Sequence, residues 1–359
     1  MRAMRSVWVV LLVLGVSASV DAQSSTSTSL PLIRVIATGG TIAGVQDAPG
    51  TLGAYRAGTR SVGDIVQSVP ELTKFARIET EQFSNVASTE IMPAQWLALS
   101  RRINEALARP DLDGVVVTHG TDRLEETAFF LYLTTKSDKP VVIVGSQRPA
   151  TGISPDGPIN LLSAVRTAGA KDARGMGVMV VMDDRILSAR ESRKIYPRTG
   201  GFSGGEMGML GVVGGGGPEF FFRPVRRHGA ETEFDVTRIT SLPDVELVYS
   251  YPGGAGSRLG ADTVGVVVTS TGFSPSERDA FLEVRKRGVV MAQVFPSGEH
   301  VPGPSGGGGG QGAGAQGQAP LPPIVSVQHL LPQKARILLM LALTQTKDAR
   351  DIQRIFSQY

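Results

Sequence analysis

The chain contains no cysteine. That excludes disulfides, a thiolate nucleophile and any thiolate–metal centre. It has only four histidines, His119, His228, His300 and His329. Their spacing fits no metal site, so no metal is expected. Position 41 in the glycine turn at 38–44 is threonine, which breaks the dinucleotide-binding G-x-G-x-x-G pattern. The charge balance is only +3, too small to argue for nucleic acid. The one basic cluster, RPVRRH at 223–228, reads as a solvated loop. Beyond the first residues, no apolar run approaches the roughly 18 residues of a membrane span.

What remains is the composition of an ordinary globular protein, 359 residues with 41% apolar and 19% charged side chains, enough for one large or two medium domains. Residues 1–22 read as a secretory leader. Arg2 and Arg5 precede the short apolar run Val7–Val16, and Val20-Asp21-Ala22 places small residues at −3 and −1 of a cleavage site. A membrane anchor is the alternative, but the polar Ser/Thr stretch within 23–31 follows at once. The mature protein is expected to be periplasmic or secreted, with no membrane contact after processing.

From Leu32 to Asp184, short apolar runs alternate with helical periodicity. The runs at 34–40, 114–120, 140–146 and 177–184 read as strands, and 95–108, 125–134 and 159–170 as helices. This rhythm predicts an α/β fold, with a larger N-terminal doubly wound, mainly parallel sheet over 32–215 that has helices on both faces. Residues 216–243 read as a linker. A smaller C-terminal α/β domain is expected over 244–359, with strands near 246–251, 264–270 and 289–294, a helix at 276–287 and a helical tail from Pro332 to Tyr359. A Gly/Gln-rich insertion at 303–323 has too little apolar surface to fold.

Two turns carry the chemistry: TGGTIAG at 38–44 and THGTD at 118–122. Each ends an expected strand, and ligands of such sheets bind beyond the strands' carboxyl ends. Gly39 and Gly40 permit a sharp turn and a close approach of backbone to ligand, and Thr41 then presents a hydroxyl. Asp122 with Glu125 reads as a capping box, a purely structural role that leaves His119-Gly120-Thr121 unexplained. A threonine hydroxyl needs a nearby base to attack. Lys171, which follows an apolar helix, is a candidate base through partial desolvation, although most such lysines are plain surface charges. Tyr55 lies in a Gly-rich stretch, 50–63, that is either a mobile lid or a plain loop with the tyrosine packed on the surface. One rival is Gly201-Phe202-Ser203-Gly204-Gly205, which fits the G-x-S-x-G nucleophile pattern but lacks a strand before it and a helix after it.

With those residues in view, the chain resembles the bacterial type II L-asparaginases of the asparaginase/glutaminase family. TGGTIAG and THGTD are similar to the family's two signatures, and DKPVVIVGSQRP at 138–149, DGPINLLSAV at 156–165 and PQKARILLMLALTQTKD at 332–348 are similar as well. The resemblance spans Leu32 to Tyr359. It implies Thr41 as nucleophile, Tyr55 as its assistant, and Thr121, Asp122 and Lys171 as a second catalytic cluster. It implies substrate binding by Gly40, Ser88, Thr89, Thr121 and Asp122, with Ser88 on the α-carboxylate and Asp122 on the α-amino group. It also implies L-asparagine as the small-molecule substrate, no cofactor, and a homotetramer.

Four departures bear on substrate choice. Thr89 stands where the family usually has Gln or Glu, and Arg123 where it commonly has Thr. The 295–323 tract replaces a loop that usually supplies an acidic residue to a neighbouring subunit, with Glu299 as a weak substitute. Phe273-Ser274-Pro275 occupies a stretch linked with glutamine use. The expectation is an exported asparagine amidohydrolase with weak or no glutaminase activity. The alternatives are a cell-envelope solute-binding protein without turnover and a hydrolase using Ser203.

Overall fold

A computed structural model describes residues 29–48, 50, 53–254, 259–298 and 323–359. The expected leader, Glu299, His300 and nearly all of the Gly/Gln-rich insertion lie outside the described residues. Pro31–Tyr359 forms one compact unit. Among the described residues, no helix is long and apolar enough to cross a membrane.

In chain order, the first part of this unit contains β1 (Leu32–Gly39), β2 (Val45–Gln46), β3 (Tyr55–Arg56), α1 (Val62–Gln67), β4 (Arg77–Val86), α2 (Pro93–Leu107), β5 (Gly114–Thr118), α3 (Leu124–Thr134), β6 (Val141–Val144), α4 (Gly157–Gly169) and β7 (Val178–Met182). Five of these strands pair in parallel in the order β4-β1-β5-β6-β7. Every residue of β5, β6 and β7 is buried, the pattern of strands covered on both faces. Helices α2 and α3 pack on each other, and α4 packs against β5, β6 and β7.

Then come β8 (Arg185–Ser188), β9 (Arg193–Lys194), β10 (Phe202–Ser203), β11 (Met209–Gly214) and β12 (Gly217–Phe220). Strands β8, β11 and β12 extend the sheet antiparallel to eight strands, while β9 and β10 form a separate short hairpin. The stretch expected as a linker is partly built into the fold. It supplies β12 at the sheet edge, and Phe234, Val236 and Ile239 enter the main core.

The last part holds β13 (Val245–Tyr249), β14 (Gly265–Thr269), α5 (Pro275–Lys286), β15 (Val290–Val294), β16 (Val325–Val327), α6 (Pro332–Leu343) and α7 (Ala349–Gln358). Strands β13 to β16 form a smaller, wholly parallel sheet. Helix α6 touches both α3 and the small sheet, so one continuous apolar core joins the two sheets. The tail expected as one helical stretch is two helices. The break falls at 344–348, where Asp348 caps α7 by accepting from the N–H groups of Arg350 and Asp351.

This topology locates a site. The chain leaves β1 to pair β4 on one side of it, then returns to place β5 on the other. The strand order therefore reverses at β1/β5, and ligands of such sheets bind beyond the carboxyl ends of the strands at that point. The two threonine turns lie there.

Candidate active site

The first turn is shaped by its glycines. Gly40 has φ 81° and ψ −167°, a backbone region that essentially only glycine occupies. Its N–H donates to the Val86 carbonyl at 2.9 Å, tying the end of β1 to the end of β4. Thr41 then begins a short 3-10 turn, Thr41–Ala43, and is 5% exposed. As the first residue of that turn, its N–H has no partner within it.

The chain next folds back as the β2–β3 hairpin, with Gln46 opposite Tyr55. Gly58 N–H donates to the Gly40 carbonyl at 3.1 Å, which anchors the hairpin base beside Thr41. As a result, the hydroxyls of Thr41 and Tyr55 stand 2.7 Å apart. The Tyr55 ring also explains the last glycine of TGGTIAG, since a Cβ on Gly44 would lie 2.8 Å from that ring.

The second turn follows β5. His119 is fully buried, with Nδ1 2.7 Å from the Gly120 carbonyl. Burial pushes its pKa down to about 4, against a smaller opposing effect of that carbonyl. Gly120 packs against Gly40 and against Ser88, where a Cβ would meet Ser88 Cβ at 2.9 Å. Ser88 is 5% exposed, and its Oγ accepts from the Arg123 N–H at 3.3 Å. Thr89, beside it, is exposed at the rim.

Thr121 is 5% exposed, and Lys194 Nζ donates to its Oγ1 at 2.7 Å. The same ammonium reaches Asp122 Oδ1 at 2.6 Å. Lys194 is placed by the β9–β10 hairpin, in which it faces the fully buried Phe202.

Two expectations need correction here. Lys171 is not at this site. Helix α4 starts near Ile42 and Ser146, beside the first turn, and ends with Gly169 next to Pro31, just before the start of β1. At 1.5 Å per residue, the helix carries the chain about 20 Å away. Lys171 opens the next short turn, exposed, at the opposite end of the sheet. Lys194 holds the place expected for it. The capping box of Asp122 with Glu125 is also not formed. Helix α3 begins at Leu124 with no side-chain cap. Asp122 instead pairs with Lys194, and Glu125, 8% exposed, accepts from the Lys194 backbone N–H and from Gln333 Nε2 at 2.6 Å.

The structure thus brings Gly40, Thr41 and Tyr55 into one cluster and Thr121, Asp122 and Lys194 into another, with Ser88 against Gly120 between them. Ser203, the rival nucleophile, lies in β10, its Oγ accepting from the Gly205 N–H at 3.0 Å, and the next element is a strand rather than a helix. Among the described residues, no group of acidic or histidine side chains is arranged to hold a metal.

Two hydroxyls with a phenol and an amine gather at the switch point of a parallel α/β sheet, a set of groups suited to hydrolysis. Comparison with known proteins narrows the class. The family model "Asparaginase, N-terminal" matches residues 32–226. The chain is 42% identical to L-asparaginase 2 of Bacillus subtilis over 94% of its own length and 89% of that protein. It is 40% identical to a glutaminase-asparaginase of Pseudomonas fluorescens biotype A, over 93% of this chain and 92% of that one. The solved structure of a probable cytoplasmic L-asparaginase from Campylobacter jejuni matches with TM-score 0.81 at 37% identity, covering 92% of this chain and all of the other. The chain belongs to the asparaginase family and is an amidohydrolase, similar to the bacterial type II members that its signatures pointed to.

Proposed function

We propose that the protein hydrolyses L-asparagine to L-aspartate and ammonia through an acyl-enzyme on Thr41. The observation that carries this is the 2.7 Å contact of Thr41 Oγ1 with the Tyr55 hydroxyl, at the mouth of a glycine turn where the Thr41 N–H, unpaired within the turn, can face a developing oxyanion. Thr41 Oγ attacks the side-chain amide carbon, and its proton passes through the Tyr55 hydroxyl to the departing amide nitrogen. Collapse of the tetrahedral intermediate releases ammonia, and water then attacks the ester.

The Thr121–Lys194 pair serves that water. To take its proton, Nζ must be the free amine. The Asp122 carboxylate lies 2.6 Å from Nζ, and a substrate α-ammonium would draw on the same carboxylate. Substrate binding and the Lys194 contact thereby meet at Asp122. Ser88 and the turn N–H groups are suited to the substrate α-carboxylate.

The finer reading is an exported, asparagine-preferring enzyme that acts as a homotetramer. The basic–apolar–small pattern of residues 1–22 supports export, the exposed Thr89 supports the preference, and the family resemblance implies the tetramer, which light scattering tests. A solute-binding protein needs no paired hydroxyls with an amine and is disfavoured.

Ammonia release from asparagine tests the reading. Wild type and Ser203→Ala are expected to be active, and Thr41→Ala to lose activity. Full activity in Thr41→Ala would sink the mechanism, and an inactive wild type would favour a binding protein.

A further inference from the structure

Lys334, on α6, is fully buried. Its Nζ donates to three backbone carbonyls of one turn, those of Ala189, Arg190 and Ser192, the first two at 3.0 and 2.8 Å. The three protons of an ammonium are all committed to that turn. Burial draws the Lys334 pKa down to about 8, with Glu125 and Glu191 pulling it back up, so the ammonium persists at neutral pH. The Phe129 ring lies 5.7 Å from Nζ.

The turn has its own framework. Ala189 N–H donates to Val178 on β7, and Ser192 N–H to Ser188 on β8. A buried lysine is a costly way to finish a loop that already makes these bonds, because its charge must be desolvated. Its position gives it a second use. Two residues beyond Ser192 comes Lys194, and chain reach over that interval is about 7 Å. On the other side of Lys194, its backbone N–H is held by Glu125, which Gln333 holds in turn.

We propose that the start of α6, Gln333 and Lys334, is a positioning device for the second catalytic cluster. Lys334 fixes the turn that feeds Lys194, Gln333 fixes the carboxylate that holds the Lys194 backbone, and together they hold Nζ at Thr121 and Asp122. A displacement of about 1 Å at a catalytic group can cost about 100-fold in rate. The inference rests on the role assigned to Lys194.

The test is a double-mutant cycle read in kcat and KM for asparagine, with thermal melting to confirm folding. Lys194→Met alone tests the site, and wild-type kcat in that variant would refute the role of Lys194 before α6 enters. With that role intact, Lys334→Met is expected to lower kcat about 10- to 100-fold and Gln333→Leu about 3- to 10-fold, each with KM within about threefold of wild type. In the Lys194→Met background neither is expected to slow the enzyme further. A kcat within twofold of wild type for Gln333→Leu or for a folded Lys334→Met overturns the proposal. So does a multiplicative loss on top of Lys194→Met, which would mark a general structural role. If Lys334→Met does not fold at assay temperature, Gln333→Leu decides alone.

Discussion

Gly40 and Gly120 meet backbone to backbone: a Cβ built on Gly40 would stand 2.2 Å from the Gly120 Cα. The contact joins turns that are 80 residues apart in sequence, and each glycine is followed by a threonine hydroxyl. Either turn alone is a generic strand end. Their contact makes one site, because the β1/β5 switch point leaves room for a ligand only where the two loops diverge.

Gly40→Ala should therefore act on stability and rate together. The Gly40 backbone lies in a region nearly closed to alanine, which alone costs about 1–3 kcal/mol, and the clash with Gly120 adds to it. We expect a loss of about 3 kcal/mol or more in chemical denaturation and a fall in kcat of about 100-fold or more, as the turns are pushed apart. Unchanged melting with unchanged turnover would show that the turns are not held by this contact.

The two lysines separate cleanly. Lys194 Nζ touches both Thr121 and Asp122, whereas Lys171 is exposed beyond the far end of α4. Lys194→Ala should lower kcat about 100- to 10,000-fold, the range of a lost general base. Lys171→Ala should leave kcat, KM and melting close to wild type. The opposite ranking in a steady-state assay would reverse the assignment.

The contrast between these lysines shows what periodicity can and cannot reveal. Strands β5, β6 and β7 and helices α2, α3 and α4 were legible because buried apolar runs and helical spacing are local signals. So were Thr41 and Thr121, since glycine before a hydroxyl at a strand end is a local pattern too. Lys194 was not. It lies in a two-residue strand, paired through a turn with Phe202, and only tertiary packing carries it to Thr121. β4 was missed because its residues are partly exposed and mostly polar, as befits the outermost strand of the sheet. Asp122 and Glu125 show the reverse error, a true local capping pattern overridden by stronger partners at Lys194 and Gln333.

His119 makes a prediction about acid. In the folded chain its pKa is drawn down to about 4 by burial, while an unfolded histidine titrates near 6.5. Between these values the unfolded state binds more protons, so stability rises with pH. The contribution is complete above pH 6.5 and is lost as pH falls towards 4, and it amounts to about 3 kcal/mol. Urea denaturation of wild type from pH 4 to 7 should show this slope, and His119→Gln should flatten it. An identical slope in the variant would assign the acid sensitivity to other groups.

The last prediction concerns substrate range. Next to the buried Ser88, the exposed Thr89 presents only a short hydroxyl towards the rim. On the small sheet's side, Phe273 packs on Phe281 with ring centroids 5.2 Å apart, and Ser274 caps α5 by accepting from the Glu277 N–H. Both are engaged in holding the helix. On the proposed reading, the substrate α-ammonium is left chiefly to Asp122. A missing hydrogen bond to a charged group is worth about 1.5–3 kcal/mol, or about 10- to 100-fold. Glutamine should suffer more than asparagine, because its extra methylene adds a rotor between the loosely held amine and the amide that must meet Thr41. We expect kcat/KM for glutamine to be lower by about 10-fold or more, and Thr89→Gln to narrow the gap by improving the glutamine value. Equal specificity constants in the wild type would refute the preference, and a Thr89→Gln variant with an unchanged ratio would remove position 89 as its cause.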